Sequence, residues 1–477
     1  MIVFVLGRIV AIEGIAMILP IVTALCFHEW QAAASFGAVA AGAVVIGILL
    51  TILGRTKNNT IYVREGFIVV ALAWIIMSAI GALPFVLTGD IPAYVDAWFE
   101  TVSGFTTTGA SIVTVPEALT HAAHMWRALT HFIGGMGILV LMVAIFPDSN
   151  GRTIHIMRAE MPGPVVDKIV PKARNTAKIL YYIYIGLTVS EAVFLLFGGL
   201  SVYESVFYAL GTAGTGGFGI LSTSIGSYSP YVQWVITAFM LLFGVNFNLY
   251  FLLLIGKFKR ALKSEELWVY IGIVVLMAVL IGVNIRSLYP TLGETIRTSF
   301  FQVAAVITTT GYSTADFSQW PTFSKALIFL LFFSGGCAGS TAGGLKLSRI
   351  IIMVKSVRRH LKKMLSPRVV YTPRFEGKPL DSAVVHNVAT YFVMYMLTLA
   401  VFFILVSFQP FDLETNLTAT ISCFNNVGPA FGRAFSGYSE YSPFVKVVLS
   451  AAMFLGRLEL YPLMLTFSVG MWSKHKV

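Results

Sequence analysis

Long runs of apolar residues without a charged side chain dominate the chain. Each is close to the roughly 20 residues that a helix needs to cross the hydrocarbon core of a membrane. Uncharged runs of this kind are 31–54, 66–89, 231–256, 267–284, 326–345 and 387–409. Apolar runs with a few polar residues are 9–27, 127–146, 179–199 and 447–472. The pattern predicts ten membrane-spanning segments.

The composition agrees with an all-α integral membrane protein. Of 477 residues, 57% are apolar and 12% are charged, about half the charged fraction of an average soluble domain. The first apolar run has no small-residue cleavage site and is followed at once by a second span, so we interpret it as a retained helix. Cys26, Cys337 and Cys423 lie in apolar stretches and show neither a disulfide framework nor metal-ligand spacing.

Basic residues alternate between the loops and assign a side to each span. The net charge is +11, and 25 of the 33 Lys and Arg fall in five segments. These segments are 55–64, 152–178, 257–263, 346–378 and 474–476. The positive-inside rule then predicts that these segments and both termini are cytoplasmic. Topology accounts for the charge, and no basic stretch has the interleaved aromatics of a nucleic-acid-binding segment.

The opposite loops carry acidic residues, which we expect to concentrate cations outside. They are Asp90, Asp96, Glu100, Glu204, Glu294, Asp316, Asp412 and Glu414. Arg127, which follows Trp126 at an outer boundary, is interpreted as an interfacial anchor.

One unit repeats four times after the first two spans. Each unit has an apolar span, a short segment, a turn that ends in glycine, and a second span. The predicted divisions are 1–62 for two N-terminal helices and 63–158, 159–262, 263–366 and 367–477 for the repeats. The four turns are Thr106-Thr107-Thr108-Gly109, Gly214-Thr215-Gly216-Gly217, Thr308-Thr309-Thr310-Gly311 and Asn425-Asn426-Val427-Gly428.

The short segments before the turns predict re-entrant pore helices. They run over 97–105, 204–213, 298–307 and 416–424, too short to cross a bilayer. Non-helical backbone survives at membrane depth only where protein buries it or where it lines a watery cavity. Four turns that converge on one axis could aim carbonyl oxygens at a cation, and glycine permits the positive φ angles that this requires. The alternative is that these small residues serve only close helix packing, and the fourfold repetition favours the ring.

The turns resemble those of the Trk/Ktr/HKT superfamily of potassium transporters, and more narrowly the TrkH/TrkG-type bacterial membrane subunit. Thr308-Thr309-Thr310-Gly311-Tyr312 is similar to a potassium-channel filter, and two extra N-terminal helices are typical of this branch. Further matches are Thr106-Thr107-Thr108-Gly109-Ala110-Ser111, Ala213-Gly214-Thr215-Gly216-Gly217-Phe218, Asn425-Asn426-Val427-Gly428-Pro429, Gly134-Gly135-Met136-Gly137 and the stretch 335–344.

The resemblance implies K⁺ uptake across the bacterial cytoplasmic (inner) membrane by a homodimer with one pore in each protomer. It also implies a cytosolic, nucleotide-binding RCK-type (TrkA-like) ring as regulatory partner, which we expect to dock on 346–378 and 152–178. The sixteen turn residues would bind K⁺ as substrate, and no cofactor or other metal is expected in this chain. Glycine at all four filter positions favours K⁺ over Na⁺, and Rb⁺ should also pass.

The second span of the third unit should break near its middle. From Ser334 to Gly344 it holds five glycines, and each glycine inside a helix costs about 1 kcal/mol. Broken helices at this depth are typical of ion sites and gates. We predict a gate beneath the filter, with close packing as the alternative. The predicted gate residues are Gly335, Gly336, Gly339, Ser340, Thr341, Gly343, Gly344, Lys346 and Arg457.

Arg457 lies in the middle of the last span, where a charge costs about 2.5–3.5 kcal/mol on insertion scales. In members of the superfamily the matching arginine lies beside the permeation path, where its charge would oppose cations. A structural ion pair is the alternative. Glu459 lies on another face, so we expect the partner of Arg457 elsewhere, in the third-unit loop for example.

The sequence thus predicts a gated K⁺ pathway, with a K⁺ symporter coupled to H⁺ or Na⁺ as the alternative on the same fold. A membrane-embedded enzyme is disfavoured, because no nucleophile–base pair or His-Glu metal motif is present. Membrane lipids are the other expected partners, and nucleic acid is not.

Overall fold

The computed structural model describes residues 1–55, 63–137, 173–366, 368 and 372–466, and these are mostly helical. The all-α fold is confirmed. An N-terminal hairpin comes first, with α1 (Ile2–Ala16), α2 (Ile18–Cys26) and α3 (Trp30–Leu53). Pro20 explains the interruption between α1 and α2, because a proline ring clashes with the carbonyl four residues earlier, here that of Ala16.

Four helical units follow the hairpin. The first contains α4 (Val63–Gly81), α5 (Leu83–Thr88), α6 (Tyr94–Phe105) and α7 (His121–Met136). The second contains α8 (Ala173–Phe197), α9 (Val202–Gly214), α10 (Pro230–Phe243), α11 (Phe247–Leu254) and α12 (Phe258–Ala261). The third contains α13 (Glu265–Asn284), α14 (Leu292–Ile307), α15 (Thr322–Phe333) and α16 (Leu347–Leu365). The fourth contains α17 (Ser382–Val406), α18 (Leu413–Phe424), α19 (Pro443–Arg457) and α20 (Tyr461–Thr466).

The connections that the structure describes hold only short elements. A two-stranded antiparallel hairpin joins α16 to α17 and consists of β1 (Arg374–Phe375) and β2 (Lys378–Pro379), with Phe375 opposite Lys378. Single 3₁₀ turns occur at Pro116–Ala118, Arg286–Leu288, Phe317–Gln319 and Gly432–Phe435. No described helix crosses a boundary of the divisions predicted from the sequence.

Each unit contains a short helix where the sequence predicts a pore helix. These are α6, α9, α14 and α18, of 12, 13, 16 and 12 residues. Three of them begin with a side chain that accepts a hydrogen bond from the backbone of the first turn, namely Ser201, Thr291 and Asp412. Such caps compete with continuation of the helix towards the preceding span. They explain why these three pore helices start as separate elements.

The prediction of ten unbroken spans is wrong for the second span of the second, third and fourth units. Six apolar helices among the described residues are long enough to cross a membrane: Ile2–Cys26, Trp30–Leu53, Glu65–Thr88, Ala177–Phe197, Glu265–Asn284 and Ser382–Val406. The predicted spans 326–345 and 447–472 are interrupted after Phe333 and Arg457. Part of 127–146 lies outside the described residues.

The second unit shows the least expected of these interruptions. The predicted span 231–256 is two helices, α10 and α11, that meet at an angle of 91°. The side chain of Asn246 accepts a hydrogen bond from the N–H of Asn248 at 2.9 Å and so caps the start of α11. An asparagine cap favours a new helix over continuation of the old one, and this signal was missed in a run of apolar residues.

Glycines bring α1 and α3 into backbone contact. A Cβ atom added to Gly47 would lie 2.6 Å from the carbonyl oxygen of Gly7, and one added to Gly7 would lie 2.8 Å from that of Gly47. Small residues permit this close approach between membrane helices. The N-terminal hairpin is therefore held together by backbone packing.

We expect Gly47→Val to destabilise the hairpin, because the added side chain meets backbone atoms that cannot move aside. Overpacking of this kind costs about 1–3 kcal/mol. Gly42→Val on the same helix is the matched control, since nothing lies within 4 Å of its added Cβ. The melting temperature of the purified protein in detergent measures the difference. Equal melting temperatures for the two variants would contradict the packing argument.

Candidate functional site

The four turns that follow the pore helices adopt the same backbone conformation. We call residues 106–109, 214–217, 308–311 and 425–428 the pore turns. In each, the second residue has a φ of 54–55° and the terminal glycine a φ of 76–101°. The second residues are Thr107, Thr215, Thr309 and Asn426.

Each pore helix ends in a Schellman motif, which explains the left-handed second residue. In the first unit the N–H of Thr107 donates to the carbonyl of Gly104 at 3.0 Å, and the N–H of Thr108 donates to Ser103 at 2.9 Å. The same pair of bonds closes the other three pore helices. This cap satisfies the last helical carbonyls. It also turns the chain sharply at the same point in every unit.

The pore turns form a closed ring. A Cβ atom added to Gly109 would lie 1.9 Å from the carbonyl oxygen of Gly216, the residue before the glycine of the next turn. The corresponding distances are 1.9 Å from Gly217 to Thr310, 2.2 Å from Gly311 to Val427, and 2.5 Å from Gly428 back to Thr108. Each turn therefore contacts the next in the order of the chain, and the fourth contacts the first.

Many carbonyl oxygens of this ring have no protein donor. No described residue donates a hydrogen bond to the carbonyls of the second and third residues of any pore turn. Buried carbonyls are normally paired, so these oxygens are available to a ligand. Two carbonyls at the first and last positions of the pore turns do have donors. The hydroxyl of Thr215 donates to the carbonyl of Gly214, and that of Tyr438 donates to the carbonyl of Gly428.

The electrostatics of the ring favour a cation. All four pore helices point their C-terminal ends at it, and each such end carries about −0.5 elementary charge. Carbonyl dipoles add to this potential and can replace the hydration shell of an ion. Among the described residues no group of three His, Cys, Asp or Glu side chains could hold a metal ion. The backbone ring is therefore the best candidate for an ion-binding site in this part of the chain.

The side chains of the pore turns brace the ring more than they line it. The hydroxyl of Thr106 donates to the carbonyl of Val102, and Thr308 donates to Ala304 in the same way. In the fourth turn Asn426 donates to the hydroxyl of Thr108 at 2.9 Å, which joins the last turn to the first. The second turn has glycine in place of the first and third hydroxyls.

The third-unit loop, residues 334–346 between α15 and α16, reaches the ring. The predicted break in this span is present and starts after Phe333. The two ends of the loop are joined by a hydrogen bond from the N–H of Gly335 to the carbonyl of Leu345 at 2.8 Å. The N–H of Gly343 donates to the hydroxyl of Thr309 at 2.7 Å, and a Cβ atom added to Gly343 would lie 2.7 Å from the carbonyl oxygen of Asn425. The loop thus contacts two pore turns directly.

Contacts with α10 and α11 hold the other side of the loop. The N–H of Cys337 donates to the carbonyl of Gly244 at 2.9 Å, and the N–H of Phe247 donates to Gly339 at 3.1 Å. The bend between α10 and α11 supplies both partners. Lys346 is buried and donates to the carbonyl of Ala342 within the loop.

Arg457 joins the third-unit loop to the first unit. Its guanidinium donates to the carbonyl of Thr341 at 2.9 Å and to those of Gly134 and Gly135 at 2.5 and 2.7 Å. The expected contact with the loop is present. Glu459 pairs instead with Arg349 on α16. One positive charge therefore lies among backbone carbonyls beneath the ring.

Arg127 is not the interfacial anchor that the sequence suggested. It is 2% exposed, and its Nε donates to Glu100 at 2.8 Å. It also donates to the hydroxyl of Ser111 and the carbonyl of Gly219 at 3.2 Å, so it bridges the chain just beyond the first and second pore turns. A single Arg at the edge of an apolar run carries no signal of such a partner. Its acidic partner lies 27 positions away.

Several outer acidic residues are neutralised by partners. Besides Glu100, Asp96 pairs with Lys446 at 2.6 Å and Glu414 pairs with Lys325 at 2.7 Å. The expected concentration of cations by these three carboxylates is therefore reduced. Asp412 caps the start of α18, where the Thr415 hydroxyl and N–H hold the pKa of its carboxyl below the usual value.

Two side chains that no sequence pattern marked also support the ring, namely His131 and Tyr395. The imidazole of His131 on α7 is buried and lies 2.9 Å from the carbonyl of Gly104, and a Cβ atom added to Gly216 would overlap it. Tyr395 on α17 donates to the side chain of Asn425 at 2.8 Å. Both contacts join positions far apart in sequence, which spacing within one helix does not reveal.

Comparisons with known proteins agree with this architecture. Residues 36–476 match the family described as TrkH, a cation transport protein. The chain is 34% identical to the Trk system potassium uptake protein TrkH of Escherichia coli K12 and 33% identical to that of Salmonella typhimurium, in each case over 98% of both chains. The crystal structure of the potassium transporter TrkH from Vibrio parahaemolyticus superimposes with a TM-score of 0.90 at 28% identity, over 99% of both chains.

These matches confirm the resemblance noted in the turns and identify a multi-pass membrane protein that is a transporter and not an enzyme. The chain belongs to the TrkH family of cation transport proteins.

Proposed function

We propose that this chain carries K⁺ into the cell through the ring of pore turns, which acts as its selectivity filter. The relatives are named potassium uptake proteins, and the ring offers the chemistry that K⁺ requires. The observation that carries the proposal is the set of buried carbonyl oxygens in the second and third positions of the four turns, which no described residue satisfies.

The ring would bind a dehydrated cation in layers of oxygen atoms. Each unit contributes one carbonyl to a layer, so a layer holds four oxygens from four different turns. Weakly hydrated K⁺ and Rb⁺ exchange water for carbonyl oxygens readily, and the filter would exclude Na⁺ through the number and field of those oxygens. The second and fourth turns lack the Thr-Thr-Thr pattern, so discrimination against Na⁺ is less sharp than in a symmetric channel.

The third-unit loop acts as the gate in this proposal. It contacts the hydroxyl of Thr309 and the carbonyl of Asn425 from below. Arg457 holds the loop at Thr341 and places a positive charge on the path of the ion. Both features oppose passage until the loop moves.

The charge pattern and the names of the relatives support a proposal for the membrane location and the partners of this chain. The basic segments support a cytoplasmic location of both termini in the bacterial inner membrane. The relatives belong to a "Trk system", which supports further components. We propose a homodimer that is regulated by a cytosolic, nucleotide-binding RCK-type ring. Its docking surface on this chain would include 346–378, whereas most of 152–178 lies outside the described residues.

Flux through the purified protein in liposomes tests the function. We expect uptake of radioactive Rb⁺ that K⁺ suppresses and that Na⁺ suppresses far less. The reversal potential should follow the K⁺ gradient alone. A reversal potential that moves with a H⁺ or Na⁺ gradient would instead favour the coupled symporter. Empty liposomes are the control, and absence of any Rb⁺ flux with or without cytosolic extract would contradict the proposal.

Substitution of one filter glycine should abolish most of this flux. We expect Gly311→Ala to reduce Rb⁺ uptake by roughly tenfold to a hundredfold, because the new Cβ would lie 2.2 Å from the carbonyl oxygen of Val427 and overpacking costs about 1–3 kcal/mol. Gly293→Ala is the matched control, since Gly293 lies at the start of the pore helix that precedes this turn and nothing lies within 4 Å of its added Cβ. If both variants transport like the native chain, the ring is not the ion path.

Removal of Arg457 should open the pore. We expect Arg457→Ala to raise Rb⁺ flux per reconstituted molecule several-fold, because the loop loses its bond at Thr341 and the path loses a positive charge. Arg433→Ala is the control, as this exposed arginine pairs with Glu440 at 3.5 Å and lies over the ring of Phe411, away from the third-unit loop. A purely structural role predicts poor yield of folded protein and unchanged flux per molecule, and that result would remove Arg457 from the gate.

A further inference from the structure

Glu266 accepts hydrogen bonds from the third-unit loop and from the helix that follows it. This residue lies in the first turn of α13 and is 4% exposed. Its Oε1 atom accepts a hydrogen bond from the N–H of Ala338 at 2.8 Å and another from the N–H of Ser348 at 2.9 Å. Ala338 lies in the first half of the loop, which we call its first limb. Ser348 lies in the first turn of α16, two residues after the second half of the loop, which we call its second limb. One carboxylate oxygen therefore fixes the separation of the two limbs.

The contact with Ser348 also caps α16 from a neighbouring helix. The residue before α16, Lys346, makes no side-chain cap, and the first turn of α16 contains no acidic residue. The free N–H groups of a helix start need an acceptor, and a carboxylate there also interacts favourably with the helix dipole. Glu266 thus supplies what the sequence of α16 lacks.

The β-hairpin between α16 and α17 contacts Glu266 from the opposite side. At its turn, Glu376 accepts hydrogen bonds from the hydroxyl of Ser264 at 2.9 Å and from the N–H of Glu266 at 3.0 Å. Glu376 and Gly377 have φ values of 50° and 75°, which is typical of a two-residue hairpin turn. Lys355 forms a second contact, between α16 and the hairpin, because it donates to the carbonyl of Arg374 at 2.6 Å.

The geometry points to Glu266 as the positioning residue that keeps the third-unit loop against the pore turns. Glu376 on the exposed β-hairpin holds the start of α13 in turn, so displacement of the hairpin would release the loop. This inference rests on the proposed role of the loop as a gate. Displacement of the hairpin would withdraw Glu376 from the start of α13. The carboxylate of Glu266 would then shift, and the two limbs of the loop would separate.

Cys337 offers a direct report on the loop, independent of transport. Its side chain is buried and directly precedes Ala338, one of the two residues held by Glu266. The other cysteines, Cys26 and Cys423, can be replaced by Ser and Ala to leave a single thiol. The rate of labelling of Cys337 by a membrane-permeant maleimide then measures how often the loop opens.

The test compares Glu266→Ala, which removes the acceptor, with Glu266→Gln, which keeps an oxygen at the same place. Both are made in the single-thiol chain and reconstituted in liposomes. We expect Glu266→Ala to raise the labelling rate of Cys337 by roughly tenfold and to increase Rb⁺ flux per molecule. Glu266→Gln should remain close to the native chain. Asp381→Ala is the matched control, because this exposed carboxylate caps the start of α17 and does not contact the loop.

The outcomes separate this inference from the proposed gate. Faster labelling without faster flux would support Glu266 as the positioning residue and overturn the gate. Unchanged labelling would overturn the role of Glu266, whatever the flux. If Glu266→Ala does not yield folded protein, Glu376→Ala takes its place. A smaller increase in labelling is then expected, and the native rate would overturn the inference.

Discussion

The structure depends on the close contact between each filter glycine and the carbonyl of the neighbouring turn. At 1.9–2.5 Å from a hypothetical Cβ atom to that oxygen, no side chain fits at any of the four positions. The left-handed second residue and the positive φ of the glycine bring the chain into this position. Because every turn contacts the next, the ring can form only if all four units adopt the same conformation.

A ring of irregular backbone at this depth needs support from the surrounding helices. The buried pair of Glu100 and Arg127 joins the first and second units beyond the ring. Asn426 and Thr108 join the fourth to the first within it. Below it, Arg457 binds carbonyls of the first and third units. Arg127 and Arg457 each donate to carbonyls on another unit, so these two side chains stabilise the assembly of units more than any single helix.

The sequence could predict the features that repeat or that depend on local chemistry. The fourfold turn, the short helix before it and the glycine-rich break after Phe333 all follow from residue type and spacing. Caps such as Ser201 and Asp412 were also within reach, since they act over three residues. The bend at Asn246 shows the limit of this approach, because its one polar signal lies within an apolar run whose length alone predicted an unbroken span.

Contacts between distant segments could not be predicted from one sequence. Glu266, Arg127 and His131 each form hydrogen bonds with backbone groups tens of residues away. Every residue but proline has the same backbone carbonyl and N–H, so residue type does not show which of them will be a partner. Glu266 even lies beside Glu265, which pairs with Lys355, and nothing in the order of residues separates the two roles. Only the fold distinguishes the carboxylate that caps a helix in another segment from its neighbour.

A pore built from one chain can give each of its four units a different task. The pore turns share one backbone conformation, yet among the residues that the structure describes only the third unit inserts a long loop beneath them. In a ring of four identical chains the same loop would occur four times. Four such loops would compete for the space beneath the ring that one loop occupies here, where it contacts Thr309 and Asn425. The single copy leaves room for Arg457 from the fourth unit and for the bend at Asn246 from the second. The asymmetry of the side chains is therefore what lets one loop control a nearly symmetric ring.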